Sequence, residues 1–527
     1  MCDIPQIYID KCEIPCILVL SGNKTYGRSK NNTKKMLYKC VPNDNDLPCL
    51  LVPFFQISSL EKVRPNLFVS IVFDLWEKTE KHPLGRICNS YGNVDDPEKF
   101  YEYQLVCNNL CMPIKSLQKY VCDIFKQQSI DTIIDELVIT HKINDRTNWD
   151  VISIDPAGSR DLDDAFGIKM CSENTNIKQI SVYIANVTMW VDALKLWPHL
   201  SRRISSVYLP NKIVPMLPPQ LSTDACSLLQ GKRRIALTLD IFIKENVIYE
   251  TAYSNCLIKV NHNYDYDDPK LLSNPIYSGL YDAMSNYLSC RELDSHELVA
   301  QLMILMNHKV ALKLSTYHTG VYRITELNQV TEKIISPEDV TTIQNIPTMY
   351  ASYITPNNDT YSGVYTTNTD TSQLEHKSLN LCAYVHITSP IRRLVDVLNS
   401  IVLQKSLSLL FSPDADEFYS CWTKDNNITY INKSMRNISK VQSSCKLLDL
   451  CLNLPLDSRN IQGYIFGCRK TDINNVYKYD VYLPKLKMYS TVHSPSFLAN
   501  YGLHTFKIIT FDLENTLKKK IRLQIVD

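Results

Sequence analysis

The sequence lacks a strong net charge, an apolar run of membrane-spanning length, and any cysteine or histidine spacing typical of zinc sites. Its 56 Lys and Arg residues against 55 Asp and Glu leave a net charge of +1. This argues against a surface that is basic all over and binds nucleic acid through its whole area, whereas a local basic channel is compatible with this net charge. Because no run approaches about 20 apolar residues, we expect no membrane association. The 18 scattered cysteines and the absence of a signal-peptide pattern predict reduced thiols in a cytoplasmic protein.

The chain is long enough for roughly three to four domains, and its patterns divide it into three blocks. Residues 1–145 contain strand patterns separated by polar turns, for example at residues 50–54, which predicts small β-barrels of the OB or cold-shock type. Residues 146–455 form a central block of mixed character. Residues 456–527 return to strand patterns and predict a further OB-type barrel. We therefore predict an α+β protein whose central domain is flanked by small OB-type β-barrels.

The most informative segment places four carboxylates, those of Asp155, Asp161, Asp163 and Asp164, within ten residues. Neighbouring like charges repel one another, so a positive group must offset them. Oxygen ligands favour a hard divalent cation such as Mg²⁺, which leaves its remaining positions to water and substrate phosphate. The segment therefore indicates metal-assisted phosphoryl chemistry.

Strand patterns lie on both sides of these acids. Residues 151–154 form a short apolar run that ends at Asp155, and apolar residues alternate again from Phe166 onward. We expect a rigid sheet to hold several carboxylates around one ion. A calcium EF-hand is excluded because Ala165 and Phe166 occupy the fifth and sixth positions counted from Asp161. A solvated acidic turn is the alternative, but it leaves the two bracketing strands unexplained.

A second segment predicts an anion site at the start of a helix. Ser389 is a suitable N-cap and Pro390 a suitable first helical residue, and the free N–H groups of a helix N-terminus attract anions. Arg392 and Arg393 would then lie in the first turn, where the helix dipole disfavours cations unless a phosphate is bound. Arginine also suits bidentate phosphate contacts. The alternative is a pair of surface arginines bonded to nearby acids such as Asp396.

Tyr208 lies in a third segment, residues 206–219, in which four prolines hold the chain extended. A tyrosine ring in such a frame can stack on a nucleobase, whereas an isolated tyrosine is better explained as part of a core. Residues 297–314 show the apolar spacing of a helix, and core packing is the simplest explanation for that spacing.

This chain resembles the RNB exoribonucleases, in which these segments occur together and in the same order along the chain. The family comprises ribonuclease II, ribonuclease R and their exosome-associated eukaryotic relatives. The resemblance covers residues 150–455, and its matching stretches are residues 153–165, 206–222, 298–307, 321–323 and 384–393. It implies a central RNB catalytic domain that degrades single-stranded RNA processively from the 3′ end to nucleoside 5′-monophosphates. The compact layout is similar to versions carried by large DNA viruses, which would place the protein in the host cytoplasm. We expect a monomer.

The resemblance also implies roles for individual residues. Two Mg²⁺ ions, or Mn²⁺ as the alternative metal, would be held by four acids: Asp155, Asp161, Asp163 and Asp164. Asp163 and Arg392 would be catalytic, and Arg392 would stabilise charge on the scissile phosphate. Tyr208 would stack on the 3′-terminal base. Further RNA contacts would come from Arg392, Arg393 and Ser389, while the barrels would guide single-stranded RNA to the site.

Four positions depart from the family pattern: Leu394 and Val395 replace Tyr and Pro, Asn186 replaces Asp, and Gln442 replaces Glu. These changes concern secondary contacts rather than the acids, so we predict an active enzyme. Two other functions stay open. An RNA-binding protein could retain the fold without catalysis, although unused clustered acids would weaken RNA binding. A metal phosphodiesterase acting on small nucleotides would fit the site, but flanking barrels would be superfluous for it.

Overall fold

The computed structural model describes most of the chain in eleven stretches, which are residues 12–30, 34–55, 64–76, 80–172, 177–289, 293–327, 361–453, 460–470, 476–486, 488–512 and 519–526. Within them the chain is an α+β protein, with a closed five-stranded barrel, a central domain on a seven-stranded sheet, and a second five-stranded sheet near the C-terminal end. The predicted fold class is therefore confirmed. The exact domain limits at residues 145 and 455 stay predictions.

The N-terminal barrel is closed, and its strands lie in the order β1-β2-β3-β5-β4. The strands are β1 (Ile14–Leu18), β2 (Met36–Pro42), β3 (Leu50–Phe54), β4 (Leu67–Leu75) and β5 (Leu84–Asn93). In β2 the buried Tyr38 and Cys40 alternate with partly exposed neighbours, as expected for a strand with one face in a core. This barrel has the five-stranded architecture of an OB fold.

Three helices follow the barrel: α1 (Pro97–Cys107), α2 (Lys115–Gln127) and α3 (Ile130–His141). Asp96 caps α1 by accepting from Glu98 N at 2.9 Å, with Pro97 as the first helical residue. Ser129 caps α3 through a 3.2 Å bond from Thr132 N. The sequence predicted more than one barrel before residue 146. This is wrong for the described residues, which contain one barrel and then these helices.

The central sheet has the order β14-β7-β8-β9-β12-β13-β6, and β10 pairs with β11 in a separate hairpin. The strands are β6 (Asn144–Asp145), β7 (Ile152–Asp155), β8 (Asp164–Ser172), β9 (Ile177–Ala185), β10 (Val207–Tyr208), β11 (Ile213–Val214), β12 (Arg233–Lys244), β13 (Val247–Lys259) and β14 (His262–Asp265). The strands predicted on either side of the acids are confirmed as β7 and β8.

Helices cover both faces of this sheet. The remaining elements of the central domain are α4 (Val187–Ala193), α5 (Pro269–Leu272), α6 (Pro275–Leu288), α7 (Ser295–Thr316), β15 (Tyr322–Leu327), β16 (Tyr361–Thr366), α8 (Leu394–Ser406), α9 (Pro413–Trp422) and α10 (Asp425–Asn453). Ile154, Phe166 and Val182 pack with α6 and α7 in one core, while Ala165 and Tyr183 belong to the core on the opposite face. The helix predicted over residues 297–314 is confirmed as α7.

The C-terminal strands form a five-stranded sheet in the order β19-β18-β17-β20-β21, consistent with a nearly closed OB-type barrel. They are β17 (Asn460–Lys470), β18 (Tyr477–Leu483), β19 (Met488–Ser494), β20 (Leu503–Asp512) and β21 (Lys519–Ile525). Ile465, Val481 and Phe506 fill its core. Among the helices described, none has the length and apolar composition needed to cross a membrane.

Candidate active site

The four predicted acids are brought together where β7 ends and β8 begins. Asp155 is the last residue of β7 and Asp164 the first of β8, and these strands are neighbours in the sheet. The connecting loop is fixed by Ser227, whose Oγ accepts from Leu162 N at 3.0 Å and donates to Arg160 O at 2.8 Å. The sheet therefore holds the acidic segment from both ends.

Asp163 is the most enclosed of these acids, with 2% of its surface exposed. Its Oδ1 accepts from Ile391 N at 2.9 Å, and its Oδ2 accepts from Arg392 Nε at 3.0 Å. Arg392 Nη2 also donates to Ser389 Oγ at 2.9 Å. Residues that lie more than 200 positions apart in sequence thus meet in one hydrogen-bonded cluster.

Tyr208 contacts the acid cluster through Asp161. Its Oη donates to Asp161 Oδ2 at 2.8 Å, and its backbone N donates to Gln442 Oε1 on α10 at 2.8 Å. Burial, followed by the negative charge of Asp161, raises the pKa of Tyr208, so the phenol keeps its proton and acts as the donor. About 38% of Tyr208 is exposed, which leaves the ring accessible to a ligand.

The electrostatics of the acids favour protons or cations. Burial raises the pKa of Asp163 to about 7, although Arg392 acts in the opposite direction. Burial raises the pKa of Asp155 to about 6, and the charge of Asp161 adds to that effect. The pKa of Asp164 is raised well above its ordinary value by burial and then by Asp155. Each carboxyl is ionised more readily once a positive ion lies beside it.

Two of the carboxyl groups fit a metal ion. Asp155 Oδ2 and Asp164 Oδ2 are buried without a hydrogen-bond partner, and such orphaned oxygens suit a hard divalent cation. Asp161 and Asp163 are instead hydrogen-bonded to Tyr208 and Arg392. In the stretches that the structure describes, no three His, Cys, Asp or Glu side chains are arranged to hold a metal ion. Asp155 and Asp164 are the residues whose unpartnered oxygens would hold such an ion.

The predicted helix start at Ser389 is wrong. The chain forms a turn in which Arg393 N donates to Ser389 O at 3.0 Å, and α8 begins only at Leu394 with an extended Arg393 as its N-cap. Arg393 Nη2 donates to Asp396 Oδ1 at 2.8 Å, so Arg393 makes the acid pair that was the alternative to phosphate binding. Ser389 N donates to Asp396 Oδ1 at 2.7 Å, and Ser389 Oγ accepts from the Arg392 guanidinium instead of capping a helix. RNA contacts by Ser389 and Arg393 stay predictions.

Comparison with known proteins identifies the family. The model of the RNB domain matches residues 143–276 and 280–409, which is half of the chain. The chain belongs to the RNB family. Ribonuclease R of Chlamydia muridarum is a relative with 24% identity over 370 residues, a match that covers 59% of this chain and 53% of the relative. The chain thus spans about half the length of that curated relative.

Solved structures of two other proteins share the fold. Mycoplasma genitalium RNase R in its apo form gives a TM-score of 0.66 at 17% identity, covering 97% of this chain and 90% of that one. The same protein has been solved with ribose-methylated single-stranded RNA and with double-stranded RNA. Yeast Ssd1, described as a pseudonuclease, gives a TM-score of 0.61 at 14% identity, covering 93% of this chain and 65% of Ssd1. At these identities the likeness shows the fold alone.

The departures from the RNB pattern have local structural explanations. Asn186 is buried, caps α4 by accepting from Met189 N at 3.2 Å, and donates to Asn255 and Gln404. Leu394 and Val395 are the first two residues of α8 and are buried in the core. Asn186 and these two apolar residues therefore stabilise the fold next to the site.

Tyr266 and Asp265 also lie at the site, although the motifs did not single them out. Strand β14 runs parallel to β7 and places Asp265 opposite Asp155, and Tyr266 N donates to Asp155 O at 3.2 Å. The Tyr266 ring stacks on His296 with 3.9 Å between centroids. Their position depends on strand pairing across about 110 residues, so no local spacing could have revealed it.

Proposed function

We propose that this RNB-family protein is a metal-dependent exoribonuclease that hydrolyses single-stranded RNA from the 3′ end to nucleoside 5′-monophosphates. The observation that carries the proposal is the convergence of Asp155 and Asp164, each with a buried oxygen that lacks a partner, with Arg392 and Tyr208. Relatives named Ribonuclease R support the same reaction class. All of these residues come from one chain, so the proposal needs no second subunit.

Each residue has a distinct role in this proposal. One or two divalent ions would lower the pKa of the attacking water and stabilise the leaving oxygen. Asp155 and Asp164 would hold such an ion, with Asp161 and Asp163 as the further acids of a two-ion site. Arg392 lies beside these acids and would stabilise charge on the scissile phosphate. Tyr208 would stack on the 3′-terminal base, held in place by its bonds to Asp161 and Gln442.

The test follows 5′-labelled single-stranded RNA on a gel, with Mg²⁺ or Mn²⁺ and with EDTA. We expect shortening to very short 5′ fragments that requires the metal and is lost in Asp163→Asn. Asp240→Asn is the matched control, because Asp240 is also buried and bonded to an arginine, Arg146, but lies away from the four acids along the sheet. RNA binding without cleavage under either metal would contradict the proposal.

That contrary result would favour the second candidate, an RNA-binding protein that retains the fold without catalysis. The specific observation in its favour is that Asp161 and Asp163 are already bonded to protein groups, with no preformed three-residue metal group in the described stretches. Cation binding separates the two candidates, because the proposed enzyme must bind Mn²⁺ at Asp155 and Asp164, and the binding protein need not.

A further inference from the structure

The segment that carries Arg392 is a short turn held by two buried carboxyl groups. On one side Asp163 accepts from Ile391 N and from Arg392 Nε, at 2.9 and 3.0 Å. On the other side Asp396 Oδ1 accepts from Ser389 N at 2.7 Å and from Arg393 Nη2 at 2.8 Å. Asp396 therefore bonds both ends of the turn, at Ser389 and Arg393, and Asp163 bonds its middle, at Ile391 and Arg392.

Asp396 is an acid that the interior of the protein encloses. It lies in the first turn of α8, is fully buried, and its Oδ2 has no hydrogen-bond partner in the structure. Replacing a buried ion pair with apolar residues is often neutral or stabilising, because desolvation of the charges is costly. The helix dipole favours an acid in this turn, yet its burial carries that desolvation cost, and its contacts with Ser389 and Arg393 point to control of the turn.

The same turn is connected to the strand that carries Tyr208. Ser206 N donates to Arg392 O at 3.0 Å, and Ser205 Oγ donates to the same oxygen at 2.7 Å. Ser205 also pairs with Arg393 in an isolated β-bridge. A shift of the turn would therefore move the backbone of Arg392 and strain the segment leading to Tyr208.

We propose that Asp396 is a positioning residue that fixes the Ser389–Arg393 turn and so places the Arg392 guanidinium at the acid cluster. It acts through backbone and side-chain hydrogen bonds and does not itself contact the substrate. The proposal rests on the proposed exoribonuclease function, because its consequence for catalysis is the placement of Arg392 against the scissile phosphate.

The first test compares Asp396→Asn with Asp240→Asn. Both changes remove the charge of a buried carboxyl group that is bonded to an arginine, so both are expected to lower the melting temperature. A misplacement of about 1 Å in a catalytic group can cost about 100-fold in rate. We expect kcat on single-stranded RNA to fall about 10- to 100-fold in Asp396→Asn, with KM within about threefold, and both constants to stay near wild type in Asp240→Asn.

A double-mutant cycle separates positioning from a general structural effect. If Asp396 acts through Arg392, Asp396→Asn must cost much less in an Arg392→Lys background than in the wild type, measured in single turnovers. Equal losses in the two backgrounds would overturn the proposal, as would a wild-type kcat in Asp396→Asn. Should that variant fail to fold, Arg393→Gln removes the ion pair while leaving the Ser389–Asp396 bond in place.

Amide hydrogen exchange gives a readout that does not depend on activity. The amides of Ser389 and Ile391 are bonded to Asp396 and Asp163, so exchange over residues 389–393 should accelerate in Asp396→Asn and stay unchanged in Asp240→Asn. Wild-type protein that fails to hydrolyse RNA would refute the proposed function, and exchange would still decide whether Asp396 fixes the turn. Unchanged exchange in Asp396→Asn would refute the positioning role.

Discussion

Cation binding at the acid cluster should release protons, because the buried carboxyl groups are partly protonated near neutral pH. The pKa of Asp155 is raised to about 6 and that of Asp163 to about 7, both chiefly by burial. A bound metal requires deprotonated ligands and favours the ionised form of nearby acids. Since both pKa values are raised, apparent cation affinity should increase as the pH rises through 6 and 7.

The number of protons follows from these two values. At pH 6 a group with a pKa of 6 is about half protonated and one with a pKa of 7 about nine-tenths protonated, so Asp155 and Asp163 together carry about 1.4 protons. At pH 7 the same two groups carry about 0.6. Asp164, whose pKa is raised as well, adds to both figures. We therefore expect at least about one proton released per bound cation at pH 6, and fewer at pH 7.

The assay is titration calorimetry with Mn²⁺ at pH 6 and pH 7, each in two buffers that differ in ionisation enthalpy. Asp163→Asn should lower the count at pH 6 by about 0.9. Asp240→Asn should leave it unchanged, because Arg146 and Ser181 hold the pKa of Asp240 below its usual value despite burial. Tight Mn²⁺ binding without proton release at pH 6 would show that the acids are already ionised and refute the argument from burial.

Three further predictions follow from the site and its supporting sheet. Asp163→Asn removes the charge that faces Arg392, and we expect the single-turnover rate of RNA hydrolysis to fall at least about 100-fold. A near-wild-type rate would contradict the catalytic role of Asp163. Tyr208→Phe keeps the ring and should bind the RNA 3′ end nearly as well as wild type. Tyr208→Ala should lose about 1–3 kcal/mol of binding free energy from stacking. Equal affinities of the two variants in fluorescence polarisation would exclude stacking. Arg146→Ala leaves Asp240 buried without its partner and should destabilise the central domain by about 3–5 kcal/mol, which an unchanged calorimetric transition would disprove.

Local patterns predicted the elements whose structure depends on near neighbours. The short apolar run that ends at Ile154 and the alternation from Phe166 placed β7 and β8 correctly, because both patterns depend only on the local strand. The helical spacing from Leu298 to Leu314 likewise gave α7. The prediction failed at Ser389, where a good N-cap and a following proline suggested a helix. In the structure Ser389 Oγ accepts from the Arg392 guanidinium, a contact between side chains, and the helix begins only at Leu394 after an extended Arg393.

The candidate active site likewise has features that local sequence predicted and features that depend on distant contacts. The sequence identified the acids and Arg392, since their residue types and spacing are visible within short segments. It gave no partner for Tyr208, which the fold supplies from Asp161 and from Gln442, 234 residues away. The pairing of β14 with β7, which brings Asp265 and Tyr266 to Asp155, is equally nonlocal.

By itself the sequence determined which chemical groups are available and which of them lie on rigid strands. Only the tertiary structure decided which carboxyl oxygens stay without a partner for a cation and which are bonded to Arg392 or Tyr208. The physical reason is that burial and hydrogen bonding depend on contacts between distant segments, whereas residue spacing constrains only the local backbone.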